Sequence, residues 1–377
     1  MSSLVGDPAT GIYIATPVIT EMQSSMDLKP LLRSLVPDAV QQQANVFGQP
    51  SYRGNQLCQW AFEKDVQNWD QMGNLPQAFR DQLAESYDLS GLQTQERQVS
   101  TDGTRKFLFK LRDSHNIESV IIPMADHVTF CLSTQVGCAM ACTFCATARG
   151  GLVRNLDAGE IVEQIARLRH DLKEDPIPGM GDRQFNVVFM GMGEPLDNWP
   201  AVHTALQIMM SESGFAMSRR RIQISTSGPA SGLQELIASE PGVGLTLSLG
   251  GSSDADRKKL MPVPGRTSVT EALDLASEYG KIAGRRVTIA WVVIDGQSDA
   301  MGQAKQLVSV LRGYHFKVNL IPLNPLADSS MAPAAGRTVV QFQKVLTDAG
   351  IPTFIRASGG RDIDAACGQL RRKRQST

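Results

Sequence analysis

One cysteine-rich stretch decides the fold of this 377-residue chain: residues 130–150 read FCLSTQVGCAMACTFCATARG and hold four of its six cysteines. The central three, Cys138, Cys142 and Cys145, are spaced C-x3-C-x2-C, so one loop can bring three thiols to a single inorganic cluster. A [4Fe-4S] cluster normally takes four cysteine ligands. Three ligands therefore predict a cluster with one iron left open for a small molecule.

A zinc site is the alternative for the same cysteines. Structural zinc is held by four cysteines, or by three cysteines and a histidine, and His127 or Cys131 would complete such a set. Zinc sites of this kind usually consist of two closely spaced cysteine pairs. Because only one tight group is present, we favour the iron–sulfur interpretation.

Composition and charge narrow the class of protein. Hydrophobic residues make up 42% and charged residues 20%, as in ordinary globular proteins. The net charge is -1, so any contact with RNA must come from local patches. Few, clustered cysteines are typical of metal or catalytic sites in a reducing compartment, and no run reaches the roughly 18 apolar residues that span a bilayer. We expect a cytoplasmic protein without a membrane partner.

From residue 128 onward, strand and helix patterns alternate, which predicts a parallel sheet with right-handed crossovers. Asp157 followed by Glu160 is a capping-box pattern that begins the first of these helices. We predict an α/β fold, a partial TIM-like (βα)6 barrel. The predicted strands are 128–133, 186–191, 221–226, 244–249, 287–294, 318–321 and 353–357, and the predicted helices are 157–172, 200–211, 233–238, 268–279, 300–312 and 338–349.

Four further segments surround the barrel. Strand-like runs 106–111 and 117–122 flank a turn, and Glu118 stands in the second run, where a lone glutamate is expected to face solvent. The predicted segments are a flexible extension (1–26), a small helical domain with an accessory role in RNA binding (27–95), a β-hairpin linker (96–127), the barrel (128–360) and a C-terminal segment with a basic tail (361–377).

Reactive groups of such a barrel lie where strands end and loops begin. Strand exits here combine small residues with a hydroxyl, a carboxylate or an amide, which suits a ligand with an amino acid end and a ribose. Local basic groups are the other candidate contacts, although a charged run is usually a solvated face. The exits are 192–195, 225–228, 248–251 and 322–325, and the basic groups are 371–374, 219–221 and Lys281 with Arg285 and Arg286.

Six motifs carry a resemblance to a known family. They are IESV (117–120), CLSTQVGCAMACTFC (131–145), GMGEPLDN (191–198), ISTSG (224–228), NLIPLNP (319–325) and DIDAACGQL (362–370). Together they resemble the RlmN/Cfr family of radical S-adenosylmethionine (SAM) RNA methyltransferases, over roughly residues 27–370. The resemblance implies that Cys138, Cys142 and Cys145 hold a [4Fe-4S] cluster whose open iron binds SAM.

The resemblance also implies roles for the remaining site residues. Cys367 takes a methyl group from one SAM, a second SAM yields a 5'-deoxyadenosyl radical, and the activated methyl carbon then joins the RNA base. Cys131 attacks the sulfur of Cys367 to release the product as a disulfide forms, and Glu118 is the general base. The implied SAM contacts are Gly193, Glu194, Ser225, Ser248, Leu249, Gly250 and Asn324.

The implied substrate is C2 of an adenosine in 23S ribosomal RNA and of another in the tRNA anticodon stem-loop. A monomer reduced by a low-potential donor such as flavodoxin or ferredoxin is expected. C8 methylation, as in the Cfr branch, stays open, although DIDAACGQL and the helical N-terminal domain favour C2. A zinc-bound RNA-binding module without catalysis is the alternative from another class.

Three positions depart from the family's usual residues. Gly250 stands where a histidine is usual, Ile289-Ala290-Trp291 replaces Ile-Glu-Tyr, and Leu323 replaces a tryptophan. These changes affect the SAM contacts and the polarity of the barrel floor.

Overall fold

The computed structural model describes residues 5–7, 12–14, 28–180, 185–262, 267–327 and 329–371. The predicted basic tail beyond Arg371 and most of the predicted N-terminal extension lie outside these ranges. Within that extension the structure describes two short paired antiparallel strands. The strands of the chain are β1 (Val5–Asp7), β2 (Ile12–Ile14), β3 (Leu92–Val99), β4 (Arg105–Leu111), β5 (Asn116–Pro123), β6 (Val128–Cys131), β7 (Gln135–Gly137), β8 (Leu152–Asn155), β9 (Phe185–Phe189), β10 (Ile222–Thr226), β11 (Gly244–Ser248), β12 (Val287–Val293), β13 (Phe316–Pro322) and β14 (Thr353–Ile355).

Ten of these strands form one mixed sheet in the order β14-β13-β12-β11-β10-β9-β6-β5-β4-β3. Each neighbouring pair from β6 to β14 is parallel. The predicted barrel strands are thereby confirmed, with β14 as a seventh parallel strand beyond the six of a (βα)6 barrel. From β6 outward through β5, β4 and β3 the pairing is antiparallel, so the predicted hairpin continues the barrel sheet.

Helices cover the parallel strands as predicted. The α-helices are α1 (Pro37–Val46), α2 (Tyr52–Cys58), α3 (Gln77–Ser86), α4 (Ala146–Arg149), α5 (Ala158–Glu174), α6 (Trp199–Met210), α7 (Ala230–Ser239), α8 (Asp254–Leu260), α9 (Val269–Ile282), α10 (Met301–Val310) and α11 (Gly336–Asp348). The capping box of α5 is confirmed, because the Asp157 carboxylate accepts from the Glu160 amide and Glu160 accepts from the Asp157 amide. No helix in the described ranges is long and apolar enough to cross a membrane.

Two differences from the predicted segments matter for the site. Strand β3 begins at Leu92, inside the range predicted as helical (27–95), because its polar, largely exposed residues give little apolar alternation. Helix α8, directly after the β11 exit, carries too few apolar residues to show a helical period. The sequence pattern therefore predicted neither the start of β3 nor α8.

The N-terminal helical domain is fixed to α5 by buried charges. The Arg33 guanidinium donates to the carbonyls of Ala61, Val66 and Leu89 inside the domain. The Asp65 carboxylate lies 3.2 Å from Arg169 Nη1 and 3.0 Å from Lys173 Nζ, both on α5. One face of helix α5 therefore packs against the barrel, and another face binds the helical domain.

Candidate active site

The cysteine loop leaves the sheet directly after Cys131, the last residue of β6. The Cys138 amide donates to the Gly151 carbonyl at 3.1 Å, and the Cys145 amide donates to the Cys142 carbonyl at the same distance. Burial raises the pKa of Cys138 to about 12, and the charges of Glu194 and Cys145 add to the rise. The pKa of Cys142 is raised by burial and then by Cys145 and Cys138, so the three thiols share one electrostatic environment.

A small apolar cluster packs against this loop. Its buried members are Leu260, Met261, Ile294 and Leu323, and Cys142 and Phe144 of the loop pack onto them. The Thr143 amide donates to the Leu260 carbonyl at 2.9 Å, which fixes the loop to the end of α8. An apolar surround limits solvent access and sets the local dielectric of a metal site. These residues therefore fit an iron–sulfur cluster on Cys138, Cys142 and Cys145.

The zinc alternative finds less support in the same geometry. Within the described ranges no three His, Cys, Asp or Glu side chains converge on a single metal ion. His127 precedes β6, at the opposite end of the strand from the loop, and its Nδ1 lies 2.6 Å from the Asp126 carboxylate. A cubane cluster needs no such convergence, since each cysteine binds a different iron.

Glu194 organises the exits of β9 and β10. Its Oε1 accepts from the Leu196 amide and the Thr226 hydroxyl, at 3.1 and 2.6 Å, and its Oε2 accepts from the Ser227 amide at 2.7 Å. Burial raises the pKa of Glu194, and these hydrogen bonds oppose the rise. The carboxylate is thus committed to protein donors and shapes the loop.

Gly193, directly before this carboxylate, has a φ of 107°. A Cβ there would lie 2.7 Å from Gln135 Cβ, so only glycine fits. Its backbone can therefore line the loop at close range. The Gln135 side chain also accepts from the Glu194 amide at 2.8 Å.

Arg257 of α8 ties together the exits of β10 and β11. The buried guanidinium donates to the carbonyls of Leu249, at 2.8 Å, and of Ser227. Nothing in the sequence predicted this role, because the helix that carries Arg257 was itself not predicted. The arginine holds the backbone around the expected SAM contacts Ser248 and Leu249.

Two of the three positions that depart from the family, Gly250 and Leu323, lie beside the same side chain, that of Met261. Gly250 has a φ of 71°, and a Cβ on it would lie 2.4 Å from Met261 Sδ. Met261 and Leu323 belong to the apolar cluster against Cys142. The space that a larger residue at 250 would need is therefore filled by an apolar side chain next to the cysteine loop.

The third departure, at Ala290, lies on β12. Ala290 pairs with Ser248 of β11, and its carbonyl accepts from the Leu249 amide at 3.2 Å. Trp291 packs on Phe342 of the outer helix α11. Since neighbours on a strand face opposite sides, Ala290 faces the barrel interior and leaves its floor without a carboxylate at that position.

The C-terminal segment (residues 360–371) closes over the mouth of the barrel and carries Cys367. Asn324, at the β13 exit, donates from Nδ2 to the Cys367 carbonyl at 3.0 Å. The Ala146 amide donates to the Gly368 carbonyl at 2.7 Å, and the Thr147 hydroxyl donates to the Leu370 carbonyl at 2.6 Å. Cys367 is thus held directly beside the cysteine loop, and Asn324 is engaged with protein in this arrangement.

Cys131 and Cys367 both lie near this mouth, where their charges interact. Burial raises the pKa of Cys131, and the charge of Cys367 adds to the rise. Cys367 keeps contact with solvent, yet partial desolvation by the protein atoms around it raises its pKa. Arg356 opposes that rise, and Cys145 adds to it. All six cysteines are free thiols in this structure.

Glu118 is buried, with 1% exposure, so the expectation that it faces solvent is wrong. Val120, two residues further along β5, pairs with Cys131, so Glu118 and Cys131 share a face of the sheet. Glu118 Oε2 accepts from the Arg371 amide at 2.8 Å, and Lys106 Nζ lies 3.6 Å from Oε1. The C-terminal segment supplies this burial, and no local pattern around Glu118 could have predicted it.

Comparison with known proteins gives this site a family. The family model described as Radical SAM superfamily matches residues 132–308, and the Ribosomal RNA large subunit methyltransferase N-terminal domain matches residues 32–89. The dual-specificity RNA methyltransferase RlmN of Campylobacter hominis is 41% identical over 337 residues, which cover 86% of this chain and 93% of that protein. The chain belongs to the RlmN family of radical SAM RNA methyltransferases.

Further relatives agree with the RlmN assignment. A probable dual-specificity RNA methyltransferase RlmN of Moorella thermoacetica is 42% identical over 347 residues, covering 90% of this chain and 96% of that protein. The crystal structure of a radical SAM methyltransferase from Sphaerobacter thermophilus superimposes with a TM-score of 0.86 at 36% identity, covering 90% and 99% of the two chains. Membership of this family implies binding of a [4Fe-4S] cluster and SAM.

Proposed function

We propose that this chain methylates C2 of an adenosine in the peptidyl transferase region of 23S ribosomal RNA, and C2 of an adenosine in the tRNA anticodon stem-loop. A methyl group carried on Cys367 is the proposed intermediate. The position of the C-terminal segment carries the proposal: it brings Cys367 beside the cysteine loop and the Arg371 amide onto Glu118, which shares a face of the sheet with Cys131. The relatives are named dual-specificity RNA methyltransferases, which supports a proposal with two RNA substrates.

The chemistry explains why a cysteine is needed. C2 of adenine is electron-poor and its C–H bond is not acidic, so a polar displacement on SAM cannot methylate it. When bound, the cluster on Cys138, Cys142 and Cys145 and two SAM molecules per turnover supply a methyl cation equivalent and a radical, which is chemistry the side chains lack. The protein contributes a sulfur that carries the carbon between these steps.

Cys367 acts first in this scheme. Its sulfur would attack the methyl carbon of SAM, so that a C–S bond forms on Cys367 as the methyl–sulfonium bond breaks and S-adenosylhomocysteine leaves. Its pKa is raised in the resting structure, so the thiol must lose a proton as the reaction begins, and the positive charge of Arg356 favours that loss. SAM contacts are proposed at Gly193, Glu194, Ser225, Ser248, Leu249, Gly250 and Asn324.

Glu118 and Cys131 complete the turnover. After the carbon has joined C2, the radical adduct has to lose one electron, which would pass to the oxidised cluster, and the C2 proton, which Glu118 would take. Cys131 then attacks the Cys367 sulfur, the C–S bond breaks, and its electron pair stays with the methyl carbon, which takes up a proton. The resulting disulfide must be reduced before the next turnover. The target base has to be unstacked to reach this mouth, which favours loops over paired RNA.

The remaining partners follow from the same scheme. A low-potential donor such as flavodoxin or ferredoxin would supply the electron, and the chain would act in the cytoplasm as a monomer. The helical domain (residues 27–95), the hairpin and the barrel would together hold the RNA.

The test is the modified nucleoside formed after anaerobic reconstitution with SAM and RNA. We expect 2-methyladenosine in the digested product, whereas 8-methyladenosine alone would reject the C2 assignment. Cys367→Ala should abolish product while leaving the cluster's absorbance intact, and Cys131→Ala should accumulate a covalent protein–RNA adduct.

Cys58→Ala is the matched control. Cys58 is a buried thiol of the helical domain whose Sγ lies 3.3 Å from the Pro37 carbonyl, far in the fold from the cysteine loop. It should retain activity. Full activity in Cys367→Ala, or a colourless preparation with one zinc per chain, would overturn the proposal.

A further inference from the structure

Two groups of arginines lie at the end of the barrel opposite the cysteine loop. Arg219, Arg220 and Arg221 form one 3-10 turn immediately before β10. Arg285 and Arg286 immediately precede β12. Because β6, β10 and β12 belong to one parallel set, their first residues share one edge of the sheet, whereas the cysteine loop leaves β6 at the other edge.

The two groups converge into a single patch. The Arg219 side chain lies against Gly242, just before β11, where a Cβ would be 2.9 Å from Arg219 Nη1. Strand β11 stands between β10 and β12. Burial lowers the pKa of Arg285, and the positive charges of Arg220 and Arg219 contribute to the decrease. We call these five residues, 219–221 with 285 and 286, the arginine patch.

No acidic side chain neutralises the arginine patch within the ranges that the structure describes. Several other arginines are paired with carboxylates: Arg105 lies 2.7 Å from Asp171, Arg154 lies 2.8 Å from Glu160, and Arg167 lies 2.9 Å from Glu163. The chain as a whole has a net charge of -1, so the patch is a local excess of positive charge. Like charges held together repel, and an anionic partner would relieve that repulsion.

A cavity of about 120 Å³ adjoins the arginine patch. Arg286, Tyr314, His315 and Phe316 line it, together with Leu311 and residues 350–352. The rings of Tyr314 and Phe316 stack with centroids 5.0 Å apart, and Arg286 Nε donates to His315 Nε2 at 3.1 Å. Proteins that bind unpaired nucleic acid combine cationic side chains for the backbone with aromatic side chains for the bases.

We propose that this closed end of the barrel is a second RNA-binding site. The arginine patch binds backbone phosphates, and the cavity beside Arg286 takes one unstacked base. The site rests on the proposed function, because it holds a distant part of the same RNA whose adenosine enters the open end. Five-residue strands separate the two ends by roughly 17 Å before loops are counted, so only an RNA that wraps the barrel reaches both.

The phosphate half of the proposal is tested by the salt dependence of binding. The probe is a transcript of the ribosomal RNA region around the target adenosine, bound to the reconstituted holoprotein over a series of KCl concentrations. Each lost phosphate contact lowers the slope of log K against log salt by about 0.7–0.9. The double variant Arg219→Gln/Arg285→Gln should therefore lower the slope by about 1.5.

Lys305→Gln/Arg337→Gln is the matched control. It removes the same charge from exposed positions of the outer helices α10 and α11 and should leave the slope unchanged. Equal slopes for the patch variant and the wild-type protein, or an equal drop in the control, would overturn the site. If the wild-type protein does not methylate the transcript but the patch variant still has a lower slope than the wild-type protein, the proposed function alone is rejected.

The base half is tested by competition. Poly(U) should displace the transcript at a lower concentration than inorganic polyphosphate of equal charge. His315→Ala should reduce the ratio of these two concentrations at least threefold. Equal competition by polyphosphate would reject base binding. Equal competition by polyglutamate would reject RNA as the partner in favour of an acidic protein.

Discussion

The two segments that flank the barrel are fastened to it by different means. The N-terminal helical domain is held by charges inside the protein: Asp65, whose side chain is 1% exposed, meets Arg169 and Lys173. The C-terminal segment is held by separate hydrogen bonds, some of them buried, such as those from the Arg371 amide to Glu118 and from the Thr147 hydroxyl to the Leu370 carbonyl. The Gly360 amide donates to Asp102 at 2.8 Å, and the Ser100 hydroxyl donates to Asp362 at 2.5 Å.

The difference indicates which part moves. Removing one partner of a buried ion pair costs about 3–5 kcal/mol, whereas a single hydrogen bond contributes about 1 kcal/mol. The helical domain is therefore a fixed part of the scaffold. Each hydrogen bond of the C-terminal segment is individually weaker, so the segment can be released one bond at a time, as the proposed movement of Cys367 between SAM and the RNA requires.

The largest expected effect is on the helical domain. Asp65→Ala leaves Arg169 buried without its carboxylate and should lower the free energy of unfolding by about 3–5 kcal/mol, measured by urea denaturation. Asp70→Ala is the control, since Asp70 is an exposed carboxylate 3.7 Å from Arg80. A loss no larger than that of Asp70→Ala would contradict the fixed scaffold.

An intermediate effect is expected at Lys106, which links the hairpin to the C-terminal segment. Lys106 Nζ donates to the Asp364 carbonyl at 3.3 Å and lies 3.6 Å from Glu118. Bonds of this charged kind contribute about 1.5–3 kcal/mol, so Lys106→Met should raise the rate of Cys367 alkylation by iodoacetamide about tenfold in the cluster-free chain. The rate is read by peptide mass spectrometry.

Lys110→Met controls for the loss of a lysine from the same strand. Lys110 also lies on β4 but is only half-buried and contacts the end of the hairpin. It should leave the alkylation rate unchanged. An equal rate in both variants would show that Lys106 does not seat the segment.

The smallest effect is expected at Asp102. Burial alone would raise its pKa, but hydrogen bonds from the Thr104 and Gly360 amides outweigh burial and lower the pKa to about 2. A lowered pKa means that the ionised carboxylate stabilises the seated segment above about pH 4 and that this support disappears as the pH falls through about 2. Asp362 also has a lowered pKa and remains in the variant, so Asp102→Asn should be less sensitive to pH in that window than the wild-type protein.

Amide hydrogen exchange of the peptide around Gly360 measures this support. After correction for the intrinsic exchange rate, Asp102→Asn should weaken protection about two- to fivefold at neutral pH. Protection in the wild-type protein that does not change between pH 4 and pH 2 would contradict the carboxylate's role.

The sequence predicted what depends on local pattern. Strands 222–226 and 244–248 stand out as short β-rich runs, and Asp157 with Glu160 marks a helix start through its own capping chemistry. Strand β3 failed the same test because its exposed polar residues show no alternation of apolar side chains. A strand that is stabilised mainly by pairing with its neighbour is hard to predict from its own residues.

The candidate site depends on contacts that join distant parts of the chain. Cys131 and Cys367 were linked by family resemblance, since nothing in their spacing brings them together. The burial of Glu118 depends on the Arg371 backbone, and the arginine patch depends on the register of three parallel strands. Such placements follow from topology, which local periodicity does not encode.

The continuity of the sheet has a consequence for the geometry of turnover. Strand β5, with Glu118, and strand β6, with Cys131, are neighbours in the same ten-stranded sheet, so backbone pairing sets the spacing between the proposed general base and the proposed resolving thiol. The distance between the Glu118 and Cys131 positions is therefore fixed. In the proposed reaction, the changes in distance between methyl loading, coupling and release must then come from movement of Cys367 and the RNA.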